Sequence, residues 1–136
     1  MRARLTALKR RLSQRGAFLL LLAAFDLTYA SGLAWAPAET RATPTYAFIA
    51  GMLPLSVWAA TWAAVGVLCL AQAWTTQDRV AYTAATALKI AWALLHLGAW
   101  AFDVLPRGYI SAAIWLLAAG AVMIMASVAK GGVRDA

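Results

Sequence analysis

Acidic residues are scarce in this sequence, five against twelve lysines and arginines, and cysteine and histidine occur once each in 136 residues. A lone Cys69 excludes an intrachain disulfide, a CxxC redox pair and a thiolate metal cluster. A lone His96 excludes the histidine cluster of an intramembrane metalloprotease. Neither a Gly-x-Gly-x-x-Gly turn nor a phosphate-cradling lysine loop occurs, and no polar stretch is long enough to fold into a soluble active-site domain. The sequence therefore predicts no enzyme, no metal and no cofactor.

Charge of either sign is also sparse. Charged residues make up 12% of the chain and hydrophobic ones 64%, with a mean hydropathy of +0.73. A soluble domain is roughly half apolar and about a quarter charged. This chain cannot cover its own surface with polar groups, so lipid is the expected solvent. The net charge of +7 does not point to nucleic acid, because the cations are not spread over a solvated face. Arg2, Arg4, Lys9, Arg10, Arg11 and Arg15 crowd into the first sixteen residues, with no acidic residue before Asp26. Such a block beside an apolar run reads as an orientation signal and a contact for anionic lipid headgroups.

What is present is four long apolar stretches, at about 17–35, 48–73, 80–102 and 109–128. Each is near the ~20 residues that a helix needs to cross roughly 30 Å of hydrocarbon. Residues 36–46, with Pro37, Glu39, Arg41 and Pro44, read as a helix-breaking connection; 75–79 and 103–109 read as short turns. Connections this short force neighbouring helices antiparallel. The expected fold is all-α, a single transmembrane domain over 1–136: a polytopic four-helix bundle preceded by a basic tail, 1–16. Leu5, Leu8 and Leu12 fall at helical intervals within that tail, which reads as an amphipathic helix in the headgroup plane, the alternative being a disordered basic tail.

Orientation follows from the basic residues near the helix ends. Nine lie on one side, including Arg79, Lys130 and Arg134; only Arg41 and Arg107 lie on the other. Both termini are therefore expected in the cytoplasm. Trp35, Tyr46, Trp74, Tyr82, Trp100 and Tyr109 fall near the expected interfaces, while Trp58, Trp62 and Trp92 fall deeper and read as packing bulk. A cleavable signal peptide has some support from the basic start, Phe18 to Ala24, and the small residues Ala34 and Ala36. Asp26 beyond the apolar stretch and Pro37 after the best site argue against it. Ala59/Ala63, Ala60/Ala64 and Ala87/Ala91 are small-xxx-small pairs that let helix backbones approach closely, within a bundle or between copies.

Ionisable groups at membrane depth cost about 2.5–3.5 kcal/mol each at a helix centre, so Asp26, Lys89 and His96 each require an explanation. Asp26 lies eleven residues beyond Arg15, and Lys89 ten beyond Arg79. At ~1.5 Å per residue both sit roughly 15 Å above the same interface. They are expected to pair between the first and third spans, with Thr61 adding a hydrogen bond. Lys89, Trp92, His96, Trp100 and Asp103 are spaced by three or four residues, which puts them along one helix face. Read structurally, this is an ion pair with one satisfied histidine. Read functionally, it is a polar path or proton relay that ends at Asp103.

The basic lead into Arg15-Gly16-Ala17-Phe18 and its run of leucines to Leu22, the proline-bearing first connection, and the short turn before Gly108-Tyr109-Ile110 resemble small alanine- and tryptophan-rich four-span proteins encoded by phages of actinobacteria, some of them holins. The resemblance implies a non-enzymatic protein that oligomerises in the host cytoplasmic membrane, and it carries no catalytic motif. Two alternatives compete. One is a proton- or ion-coupled transporter or channel resembling the small multidrug-resistance type, against which Lys89 counts as a fixed cation at the depth of Asp26. The other is a structural or partner-binding subunit of a membrane complex.

Overall fold

The computed structural model describes residues 12–128, all of whose regular elements are helices. They are α1 (Gln14–Ala34), α2 (Ala38–Arg41), α3 (Pro44–Met52), α4 (Leu55–Gln72), α5 (Arg79–Ala101) and α6 (Gly108–Ser127). The four long helices, of 21, 18, 23 and 20 residues, are long and apolar enough to cross a membrane. This is a multi-pass membrane protein.

Each boundary has a local cause. Ser13 opens α1 by accepting a hydrogen bond from the Gly16 N–H at 3.0 Å, the usual role of serine at an N-cap. Arg15 therefore belongs to the spanning helix, whereas the expected interfacial helix and the basic residues Arg2, Arg4, Lys9, Arg10 and Arg11 lie outside the described residues, as do Lys130 and Arg134. The connection at 36–46 is not irregular throughout: it holds α2 and the start of α3, with Pro44 in the first turn of α3, where a missing N–H costs nothing.

The expected second span over 48–73 is divided at Pro54. Leu53 is extended at φ −147°, ψ 150° and Pro54 precedes α4. Proline removes the N–H and pushes the residue before it out of the helical region, so an unbroken apolar run becomes two helices. Only α4 is of spanning length.

At the far end of α5, Asp103 adopts a left-handed φ of 58°. The N–H groups of Val104 and Leu105 then turn back to donate to the Ala99 carbonyl at 2.8 and 3.0 Å. This closes the helix as glycine usually does, at a position where aspartate is among the better-tolerated alternatives.

The long helices pack most extensively as two pairs, α1 with α4 and α5 with α6. Small residues make both contacts close. A Cβ on Gly16 would collide with the Ala73 carbonyl oxygen, and one on Gly108 with that of His96. Between the pairs the filling changes to long, polar and aromatic side chains. One apolar cluster forms around Leu19, Leu22, Tyr82 and Val122 at the Arg15 end. A second forms around Leu33, Ile49, Trp62 and Trp92 towards the other end.

Candidate functional site

Depth counting brings Asp26 and Lys89 to one level, and the structure joins them. The Lys89 Nζ donates to Asp26 Oδ1 at 2.7 Å, with the two side chains 2% and 0% exposed respectively. Asp26 reaches in from α1 and Lys89 from α5, so the pair ties one helix pair to the other. Lys89 also lies 5.3 Å from the Trp62 ring centroid and 5.7 Å from that of Phe25, where ring quadrupoles offset part of the lost hydration of the ammonium. Two buried polar atoms nearby, Asp26 Oδ2 and Trp62 Nε1, have no hydrogen-bond partner among the described residues.

Directly beyond the pair, rings from all four long helices meet. Tyr29 of α1 lies 4.4 Å from Trp62 of α4, 5.9 Å from Trp92 of α5 and 5.3 Å from Trp115 of α6, centroid to centroid. The Trp92 indole N–H donates to the Tyr29 hydroxyl at 3.0 Å. Trp58 packs edge-on against Trp92 at 5.1 Å and donates its N–H to the Ile49 carbonyl, which fastens α3 to the cluster. The packing role expected of the deep tryptophans is what these contacts supply.

The ring cluster interrupts the polar path. His96 is buried, and its Nδ1 lies 2.8 Å from the Trp92 carbonyl one turn earlier in α5, which satisfies it within its own helix. Among the described residues it bonds to neither Lys89 nor Asp103. Asp103 is exposed, outside α5, in the left-handed turn; the regular spacing from Lys89 therefore stops at Trp100. Thr61 does not join the pair. It is exposed and its hydroxyl donates to the Val57 carbonyl of its own helix at 2.9 Å, because it precedes the inward-facing Trp62 and points to another azimuth.

A second polar junction, at the Arg15 end, was not anticipated. Arg15 is 7% exposed, and its guanidinium is engaged inside the protein instead of reaching out to lipid headgroups. Nε and Nη2 donate to the two oxygens of Asp78 at 2.8 and 3.0 Å, a fork-to-fork geometry among the stronger kinds of ion pair. Nη1 donates to the carbonyls of Ala126 and Val128 at 2.6 and 2.7 Å and of Met125 at 3.3 Å. The Ala126 and Val128 carbonyls have no partner within α6, whereas that of Met125 also accepts from the Val128 N–H, and a cation at this helix end also opposes the helix dipole. The Tyr82 hydroxyl completes the junction by donating to the Arg15 carbonyl at 2.9 Å. The sequence held a signal for it: Asp78 is the only acidic residue in the turn that returns to the level of Arg15.

Both junctions therefore do the same thing, joining the α1–α4 pair to the α5–α6 pair through charge-assisted bonds. No group of three histidine, cysteine, aspartate or glutamate side chains suited to a metal ion occurs among the described residues. Comparison with protein-family models, with curated proteins and with solved structures returned no match.

Proposed function

We propose that this is a non-enzymatic protein of the bacterial cytoplasmic membrane, a four-helix bundle with both termini in the cytoplasm, that acts by oligomerising in the bilayer as a holin-like or accessory phage protein does. The observation that carries the reading is where the polar groups go. Asp26, Lys89 and His96 are turned into the interior and bonded there, and the surface left to lipid is apolar, with Leu21, Leu94, Ile114, Leu117 and Ile124 exposed. On that surface Ala60, Ala64, Ala87 and Ala91 are also exposed, two small-xxx-small pairs available to another copy. In the absence of a hydrophobic driving force between helices in lipid, such close backbone approach is a principal source of association.

The test is induced expression in a bacterial host together with a cytoplasmic endolysin. The reading expects accumulation followed by abrupt loss of membrane potential and lysis, and copies that crosslink through cysteines placed at Ala64 or Ala91. Accumulation to high levels with intact potential and no crosslinking contradicts it.

A second reading, ion or proton coupling at the buried pair, draws on a specific observation: Asp26 Oδ2 and Trp62 Nε1 are buried without partners. An unused carboxylate oxygen is a place where a proton or water can bind.

A further inference from the structure

A groove of about 560 Å³ runs between α5 and α6 at the Arg15 end. Its lining changes character with depth. Arg79 stands at its mouth, exposed, its guanidinium without a hydrogen bond or ion pair to any other described residue. Thr83 and Thr86 follow on the same helix, roughly 6 and 10 Å deeper at 1.5 Å per residue. Below them the wall is Ile90, while Met123, one turn before the end of α6, stands level with the threonines on the opposite wall.

The two threonines differ from the other serine and threonine hydroxyls beyond the first turn of each long helix; within the first turns of α4 and α6, Ser56 and Ser111 likewise make no hydrogen bond to a described residue. Thr28, Thr61 and Ser127 each donate to a carbonyl three or four residues earlier, the usual way a hydroxyl is satisfied in lipid. The hydroxyls of Thr83 and Thr86 make no hydrogen bond to a described residue. Two free donors thus stand below a free guanidinium and above an apolar floor. Arg15 adds no net charge here, because Asp78 balances it. Five further cations, Arg2, Arg4, Lys9, Arg10 and Arg11, precede α1 in the sequence.

We infer that this groove binds one anionic phospholipid, with its phosphate at Arg79, its glycerol and ester oxygens at Thr83 and Thr86, and the start of an acyl chain against Ile90 and Met123. The order of chemistry along the groove, cation then hydroxyl donors then hydrocarbon, matches the order along a phospholipid. A guanidinium suits the phosphate because it offers paired donors in a plane. Which leaflet supplies the lipid follows from the orientation proposed above; the binding itself does not depend on it.

Native mass spectrometry of the full chain in mild detergent tests the inference, with phosphatidylglycerol and phosphatidylcholine offered in equal amounts. The wild type should retain one phosphatidylglycerol in preference to phosphatidylcholine. Arg79→Gln should lower that preference about five-fold, the factor expected for one basic contact at a membrane surface. Thr83→Val with Thr86→Val should weaken retention of both lipids, since both carry ester oxygens. Ile90→Trp fills the groove without touching a charge and should abolish retention, while glutamine at all five tail cations should leave the one tightly held lipid in place. Arg79 has no described partner, so its variant should keep the wild-type helical circular dichroism. Retention unchanged in both Arg79→Gln and Ile90→Trp overturns the site, as does loss of the lipid in the tail variant alone. Displacement of the lipid by inorganic phosphate would make this a free-anion site and overturn the lipid assignment.

Discussion

Replacing Lys89 by methionine keeps a long apolar side chain but leaves the Asp26 carboxylate with no partner at 0% exposure. Two effects of different size compete as descriptions of the loss. If the Lys89–Asp26 contact were worth only an interhelical hydrogen bond in a membrane, its removal would cost about 0.6 kcal/mol. Stranding a buried charge costs about 3–5 kcal/mol, a hundred-fold or more in the folding equilibrium. The second effect should dominate, because Asp26 is fully buried and its Oδ2 is already without a hydrogen bond to a described residue. Titration of purified protein with a denaturing detergent, followed by the fluorescence of the seven tryptophans, measures it. Asp26→Asn should behave similarly, since it strands the ammonium. The double variant Asp26→Asn/Lys89→Met leaves no charge behind and should be more stable than either single one, by about 2 kcal/mol or more. Additive losses in the double variant, or single losses under about 1 kcal/mol, would refute the argument that the pair is a strut.

Other expectations use the same measurement. Arg15→Gln should destabilise more than Asp78→Asn, because it releases both the carboxylate and the carbonyls of α6 while the second change leaves Nη1 bonded; a difference of about 1–2 kcal/mol is expected, and equal losses contradict the capping role. Gly108→Ala should destabilise, since its Cβ would meet the His96 carbonyl, while Gly98→Ala, where nothing lies within 4 Å, should be neutral or stabilise by up to about 1 kcal/mol. Asp103→Gly should hold or raise stability, because glycine accepts the left-handed conformation without strain; a clear loss would restore a further role for the carboxylate. Reporter fusions after Arg41 and Arg107 should report the outside, and fusions after Asp78 and Ala136 the inside; an outside C-terminus overturns the orientation.

The sequence displayed some features of this molecule more openly than others, for physical reasons. Hydropathy and run length locate four spanning helices because lipid imposes a minimum length on each. The same signal misplaces the start of the second, since the apolar run continues through Pro54 and hydropathy is blind to a missing N–H. Counting residues from the interface gives height, which suffices to set Asp26 beside Lys89. It does not give azimuth, which is why Thr61 has the right depth and the wrong face. Spacing on α5 identifies Lys89, Trp92 and His96 as inward-facing, but a face is not a path, and the rings of Tyr29, Trp62 and Trp115 come from helices whose rotation the spacing on α5 cannot report. Arg15 was legible as a boundary residue and not as a hub, because its acceptors at the end of α6 are backbone carbonyls and leave no mark in the sequence.

The central claim is that the charges within the membrane hold the helices together and do not conduct. Proton uptake into liposomes containing the purified protein, reported by a trapped pH-sensitive dye under an imposed potential, tests it most directly when the wild type is compared with folded Asp26→Asn/Lys89→Met. The account predicts that the two preparations show the same uptake, whatever its level. Uptake in the wild type that disappears in the double variant would contradict it and make Asp26 and Lys89 the working groups of a transporter.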